Sequence, residues 1–486
     1  MEEIKHEPAE TIPTRGEKVA HWRGMSQSAS PPLQAAPSSS EPPPEINRDA
    51  TRRARFVTGS IMRHVVVMAG TGAIGLMAVF AVDLLNFYYI SRLKDPNLTA
   101  AIGFAGAIGY VQIAVSIGMT IGLGAVIGRL IGARKATRAR RLASAFLVVM
   151  LAVAAVLGIM TASLATWLLG LLGASGEAQN QAASFLHLVS PALPLVCMGM
   201  AQSALLRAVG DARRSMQVTL VGAAVSAMLD PILIFLLHMG LMGAAISTIV
   251  SRSVVVLCGY ISLRDHYMLE RPRLRAIKPA TQRIGAVALP AIATNLATPV
   301  GSVFVTHFMS RFGLEAISGQ ATIDRIVPVA FAFVFALTGS VGPIMSQNLG
   351  AGRKDRVKEA LGASLKLTAL CVLLTWAVLA LCHGPIIHLF AAKGVAVQII
   401  TLFCCWLVAS YFFVGLLFVS NTAFNNLGHP LYSTMFNWGR ATLGTIPFVW
   451  IGAHYGPIGI LVGQSLGVVL FGTLAVLTAF RVIQKL

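Results

Sequence analysis

GLGAVIGRLIGARK runs from Gly122 to Lys135, and GSVGPIMSQNLGAGRK runs from Gly339 to Lys354, about 219 residues further on. Each stretch closes a long apolar run with small residues and then a basic cluster. An apolar span ended by a basic turn, written twice at that distance, describes a chain made of two copies of one membrane-embedded half. Two packed halves are the usual body of an alternating-access transporter, with the substrate site between them.

Composition points the same way. Of 486 residues, 56 % are hydrophobic and 12 % charged, whereas soluble domains carry roughly 25 % charged residues. The net charge of +19 is read as bases gathered in loops on one side of a membrane, not as a nucleic-acid footprint, so no nucleic-acid partner is expected. Cys197, Cys258, Cys371, Cys382, Cys404 and Cys405 all fall in apolar runs without metal-ligand spacing and read as packing residues. The chain has no HExxH or GxxxxGK[ST] motif, and its GxSxG match, Gly463 to Gly467, lies inside an apolar run instead of at a strand-to-helix turn, so an enzyme, a resident cofactor and nucleotide-driven transport are not expected.

Residues 1–55, rich in Pro, Ser, Glu and Gln, read as a disordered cytoplasmic tail. From Ile61 onward, runs of at least roughly 20 apolar residues follow one another to the end. Twelve spans are expected: 61–90, 98–132, 142–170, 178–206, 214–238, 241–263, 282–310, 315–350, 358–391, 396–427, 431–454 and 457–482. The fold class is therefore an all-α polytopic membrane protein, with six-helix lobes over 56–263 and 282–486 and a basic inter-lobe linker over 264–281.

Bases cluster after the second, fourth, sixth and eighth spans, while the intervening loops hold only Arg92, Lys94, Arg311 and Lys393. By the positive-inside rule both termini are cytoplasmic. The repeat also carries through LLRAVGDARRSM (Leu205 to Met216) and AFNNLGHPLYSTM (Ala423 to Met435). Both copies run in the same direction, so the axis relating them lies along the membrane normal.

Three acids lie well inside expected spans: Asp83, Asp230 and Asp324. A charge at mid-bilayer costs about 2.5–3.5 kcal/mol on insertion scales, so such residues usually face a cavity and serve function. A carboxyl withdrawn from water favours its neutral form, which suits it to proton exchange. Each acid has a structural alternative: for Asp83 an interfacial pair with Arg92 or Lys94, for Asp230 service to the backbone freed by Pro231, for Asp324 an ion pair with Arg440. At the repeat offset Asp83 faces Ser302 and Asp324 pairs with Ala105, and aligning Asp230-Pro231 with Ile446-Pro447 sets Ile446 against Asp230. Coupling that uses Asp83 and Asp230 then resides in the first half, with Ser226 and Thr248 as neighbouring oxygen donors. Either hydroxyl could instead bond its own helix. In the second half, Asn295, His307, Gln320 and Asp324 are the candidate substrate contacts.

VDLLNFYYISRL with Asp83, MLDPILIF with Asp230, GLMGAAISTIVSR with Thr248 and GSVGPIMSQNLGAGRKDRVKEAL together resemble the multidrug and toxic compound extrusion (MATE) family over residues 60–486. The branch most resembled is the DinF-like one. The resemblance implies a V-shaped pair of six-helix lobes that export drugs, often organic cations, against an inward proton or sodium gradient. It assigns the ion site to the aspartates matching Asp83 and Asp230, an asparagine one turn before the second, and the threonine matching Thr248. Ser226 stands in the asparagine's place here. The acids that the NorM-like branch carries on its seventh and tenth helices are absent from the corresponding spans.

The expected function is antiport: a proton, or sodium bound at Asp83 and Asp230, enters as a drug-like cationic or amphipathic compound leaves. The chain is expected in a plasma membrane of the bacterial inner-membrane type, as a monomer whose partners are small-molecule drugs or toxic metabolites and the lipid bilayer. The alternatives are a lipid-linked glycan flippase of the same wider superfamily and, from another class, a membrane-embedded transferase. The first would favour cations in its cavity and the second a metal-binding acidic cluster.

Overall fold

Residues 54–93, 96–390 and 392–486 are described by the structure, a computed structural model. The expected tail lies almost wholly outside them, as does Lys94. All regular structure among the described residues is helical, because the apolar runs leave the backbone no partner in lipid except itself. The first half comprises α1 (Ile61–Arg92), α2 (Pro96–Gly132), α3 (Ala136–Ser163), α4 (Ala165–Leu171), α5 (Gly176–Val189), α6 (Leu193–Ala208), α7 (Ala212–Pro231) and α8 (Gly240–Asp265). The second comprises α9 (Leu274–Met309), α10 (Leu314–Ala330), α11 (Ala332–Gly350), α12 (Lys354–Leu389), α13 (Val395–Cys405), α14 (Tyr411–Leu427), α15 (Pro430–Ala441), α16 (Ile446–Ala453) and α17 (Gly456–Gln484).

Among the described residues ten segments are long and apolar enough to cross a membrane, or eleven if α10 and α11, bent by 47° at their junction, are one span. The expected count of twelve thus differs by the run 431–454, which is divided between α15 and α16. The break lies at 442–445, where Gly444 N–H bonds Gly439 O at 2.8 Å, one residue beyond the regular helical step, and Pro447, which has no N–H, stands in the first turn of α16. The Thr445 hydroxyl caps the Arg440 carbonyl at 2.9 Å. Helix α9 begins at Leu274, so much of the expected linker is helical. What remains is held by Glu270, which pairs with Arg140 at 2.9 Å and whose N–H donates to Ser144 Oγ at 2.9 Å.

The repeat is visible as backbone geometry. Lys135 N–H bonds Leu130 O at 2.8 Å, and Arg353 N–H bonds Asn348 O at 2.9 Å, closing α2 and α11 with the same turn. Gly352 takes the left-handed position in the second copy and Arg134 takes it in the first. The turns after α6 and α14 match likewise, with left-handed Gly210 and Gly428. The register at both pairs of turns is therefore one residue shorter than the sequence alignment of the basic clusters, GAR with GAGR, had placed it. At this register Asp83 falls opposite Gly301 instead of Ser302, and the second copy still has no acid there.

Packing differs between the two ends of the molecule. At the end bearing the basic loops, the buried cores cross between halves. One joins Phe56, Ile61, Val65, Met68 and Ala69 of the first half to α11, α12, α14 and α17. The other joins α2, α3 and α6 to Ala276, Ala280, Ile284 and Ala288 of α9. At the opposite end each half keeps a core of its own: one around Ile90, Leu169 and Ile234, the other around Phe308, Ile399 and Phe403. The halves are joined at the basic-loop end and carry separate cores at the other.

Candidate functional site

The junction at the basic-loop end is built by the two sequence stretches that reveal the repeat. A Cβ on Gly132 would overlap the backbone carbonyl of Gln347, and a Cβ on Gly350 would overlap that of Arg129. Only glycine permits this mutual approach. The side chains reciprocate: Gln347 donates to Ala208 O, at the end of α6, at 2.7 Å, and Arg129 donates to Asn425 O, near the end of α14, at 3.4 Å.

To this nearly symmetric contact the second copy adds a clamp on the segment preceding α1. Phe56 N–H donates to Gln347 Oε1 at 3.1 Å, and Asn348 Nδ2 donates to Phe56 O at 3.1 Å. Arg356 donates to Phe56 O at 3.0 Å, to Gly59 O at 2.9 Å and to Asn348 Oδ1 at 3.0 Å. Arg353 donates to Val57 O at 3.1 Å. Sequence reasoning named these turns but not the clamp; Gln347 and Asn348, two amides ending an apolar run, were the available signal.

Beyond this junction, toward the opposite end, the helices of both halves carry the polar groups singled out in the sequence. Gly72 of α1 lies against Ala336 and Ser340 of α11. Asp83 is about three turns further along the same face, and there its side chain is exposed. The face that packs on the other half near Gly72 has thus become open surface at Asp83. Its charged neighbour is Arg252 of α8. The side chain of Arg92 and the whole of Lys94, the partners in the interfacial alternative, lie outside what is described.

Asp230, in contrast, is completely buried at the end of α7. Pro231 follows it, and the helix then widens into a π turn over Ile232–Leu236, a distortion frequent at functional sites. Ser226 donates to Asp230 Oδ2 at 3.3 Å. Ser247 of α8 is the second hydroxyl beside the carboxylate. Asp230 Oδ1 and Ser247 Oγ are nevertheless buried without a close hydrogen-bond partner, the kind of shortfall that a bound proton or cation would relieve.

Thr248, expected beside the acid, donates to its own helix at Ala244 O, 2.9 Å away. The reason is rotational. Gly243 lies against the Leu233 backbone, and Ser247, four residues on, shares that face, whereas Thr248 is turned by about 100°. The sequence signal for Ser247 was its spacing from Gly243.

In the second half Gln320 Nε2 donates to Asp324 Oδ1 at 3.0 Å, joining two of the four expected substrate contacts. Asn295 donates to its own helix at Ala291 O, 2.8 Å away. His307 is exposed near the end of α9, with Arg311 at 3.3 Å, and does not join the pair. Asp324 shares an electrostatic neighbourhood with Tyr411, which also senses Arg440. No ion pair between Asp324 and Arg440 is formed among the described residues. Arg440 instead faces Tyr411 and, across the seam, Tyr110 of α2; its Nε is buried without a partner. Among the described residues no cluster of three or more His, Cys, Asp or Glu is placed to hold a metal ion.

The family model described as MatE matches residues 73–232 and 290–451, one block in each half. The chain belongs to the MatE family. MATE proteins are membrane transporters, not enzymes. A FAD transporter of Shewanella oneidensis is 27% identical over 440 residues, covering 89% of this chain and 97% of that protein. The multidrug export protein MepA of Staphylococcus haemolyticus is 24% identical over 349 residues, 71% of this chain and 77% of its own. Among solved structures, a mutant of the Vibrio cholerae MATE transporter VcmN superposes with a TM-score of 0.84 at 24% identity, covering 90% of this chain and 99% of that one. An outward-facing multidrug resistance MATE transporter of the MOP superfamily gives 0.84 at 20%, covering 89% and 99%. At these identities the structural likeness carries the fold.

Proposed function

We propose that this MATE protein is a secondary antiporter of the DinF-like branch, exporting drug-like compounds in exchange for protons or sodium. On this reading Asp230, with Ser226 and Ser247, and Asp83, with Arg252 nearby, are the coupling groups of a first-half lobe over 56–263. The lobe over 282–486 supplies substrate contacts around Gln320 and Asp324. Both termini and the basic loops face the cytoplasm, the chain acts as a monomer, and the cleft opens outward. The observation that carries the reading is a fully buried carboxylate with an unpartnered oxygen, on one half of a molecule whose described residues form shared cores at one end and separate cores at the other. Ion occupancy at such a carboxylate differs in free energy between two arrangements of the halves, which is what coupling requires. Membership in the MatE family favours extrusion over the flippase and transferase alternatives.

Efflux from proteoliposomes under an imposed pH gradient or an imposed sodium gradient tests it. Wild type should be driven by one of the two, and Asp83→Asn and Asp230→Asn should lose gradient-driven flux. Flux indifferent to both gradients would remove antiport.

A second reading concerns the cargo: an anionic dinucleotide metabolite in place of a cationic drug. It is favoured by the FAD transporter that aligns over 97% of its own length. It is also favoured by the unpartnered Nε of Arg440, facing Tyr411 and Tyr110. Flavin-dinucleotide efflux lost in Arg440→Gln, with cationic-dye efflux retained, would select it.

A further inference from the structure

A cavity of about 420 Å³ opens beside the start of α1 at the basic-loop end, lined by Arg55, Ser60, Arg63, His64, Asp211 and Arg213 among others. Its volume is in the range of small-ligand sites. Its charge is lopsided: three guanidiniums face one carboxylate, and Asp211 is already engaged by His266 at 2.9 Å and by Arg214 at 3.5 Å. Arg55 donates to Gly210 O at 3.3 Å, and His64 bonds Thr58 O at 2.7 Å. Arg63 and Arg213 are exposed, and neither side chain has a hydrogen-bond or ion-pair partner among the described residues.

The wall continues into apolar surface. Val67 and Met68 are part of the lining, and Met62, Val66 and Val67 are exposed on the same two turns of α1. Two unpaired guanidiniums above an apolar strip, at the level where a span meets its basic loops, suit a ligand with a phosphate at one end and hydrocarbon at the other. Basic pockets between membrane helices on that side are recognised sites for anionic headgroups.

We infer that this cavity binds the phosphate headgroup of an anionic phospholipid from the adjoining leaflet, through Arg63 and Arg213 with Arg55 at its rim. A free phosphate would use the same guanidiniums but would gain nothing from the apolar strip.

Native mass spectrometry of the full chain, released from micelles carrying phosphatidylglycerol or phosphatidylcholine, tests this. Phosphatidylglycerol should be retained in preference. Arg63→Gln and Arg213→Gln should each weaken retention roughly 5-fold, and the pair about 30-fold. Arg283→Gln, an equal charge loss outside the cavity, should change nothing. Equal retention of phosphatidylcholine, variants that match wild type, or displacement of the lipid by inorganic phosphate would each overturn the assignment. The lipid-selectivity and phosphate arms use the unaltered chain, so they decide even if a variant misfolds.

Discussion

The two ends of this molecule solve opposite problems with the same repeated parts. At the basic-loop end glycines bring backbones of the two halves together, buried amides reach across to helix-end carbonyls, and two apolar cores span the seam. At the other end each half has, among the described residues, a core of its own. The contrast is instructive because the buried contacts between halves are gathered at one end, while at the other neither half draws on its partner for a core. That is the physical requirement for alternating access.

The contrast can be broken most severely at the glycines. Gly132→Leu or Gly350→Leu places a side chain where the other half's carbonyl stands. Overpacking of this type costs about 1–3 kcal/mol, or roughly a 5- to 150-fold bias against the joined arrangement. Transport by either variant should fall by at least about five-fold; wild-type rates would mean that the close approach is not used in the cycle.

A smaller effect is expected from Arg356→Ala, which removes charge-assisted bonds to Phe56 O, Gly59 O and Asn348. Charged hydrogen bonds contribute about 1.5–3 kcal/mol when buried, and partial exposure at this half-buried site reduces that to about 1 kcal/mol. In a cysteine-replaced chain, Ser340→Cys, buried between α1 and α11, should react several-fold faster with thiol reagents once Arg356 is removed. Unchanged reactivity would show that the clamp is decorative.

Ser247→Ala sharpens the comparison at the carboxylate. Loss of one hydroxyl beside Asp230 should shift the pH or sodium dependence of transport by the equivalent of about 0.5–1.5 kcal/mol, whereas Thr248→Ala should shift it less, because Thr248 bonds its own helix. Equal effects would contradict the orientation of α8.

The smallest effect concerns stability. The His266 hydrogen bond, aided by the backbone N–H and charge of Arg214, holds the Asp211 carboxyl below its ordinary value of 3.8. A depressed folded value means the unfolded chain binds the proton more tightly, so this stabilisation is complete above about pH 4 and is lost as pH falls through the folded value. Asp211→Asn should lower thermal stability near neutral pH and converge with wild type in strong acid. A difference that persists there would assign the effect to shape, not charge.

Much of this was legible in the sequence. Apolar runs, basic turns and the repeat give the helices, their order and the two halves, since lipid leaves the backbone few choices. The acids stood out because charges are scarce in such runs. The register at the turns was off by one residue, because left-handed Arg134 does in the first copy what Gly352 does in the second. Choosing Thr248 over Ser247 required knowing how far α8 is rotated, which depends on Gly243 packing against α7's distorted end. The clamp on Phe56 joins residues nearly three hundred positions apart, and no local pattern encodes such a contact.

The most direct test of coupling between carboxylate and cleft is a distance measurement across the open end. Spin labels at Leu171→Cys and Leu389→Cys, both exposed at that end of their respective halves, report the separation of the halves by electron double resonance. In wild type the distance distribution should redistribute between a long and a short population as the coupling ion, proton or sodium, is varied. In Asp230→Asn it should stay fixed. An Asp230→Asn variant that redistributes as wild type does would contradict the account.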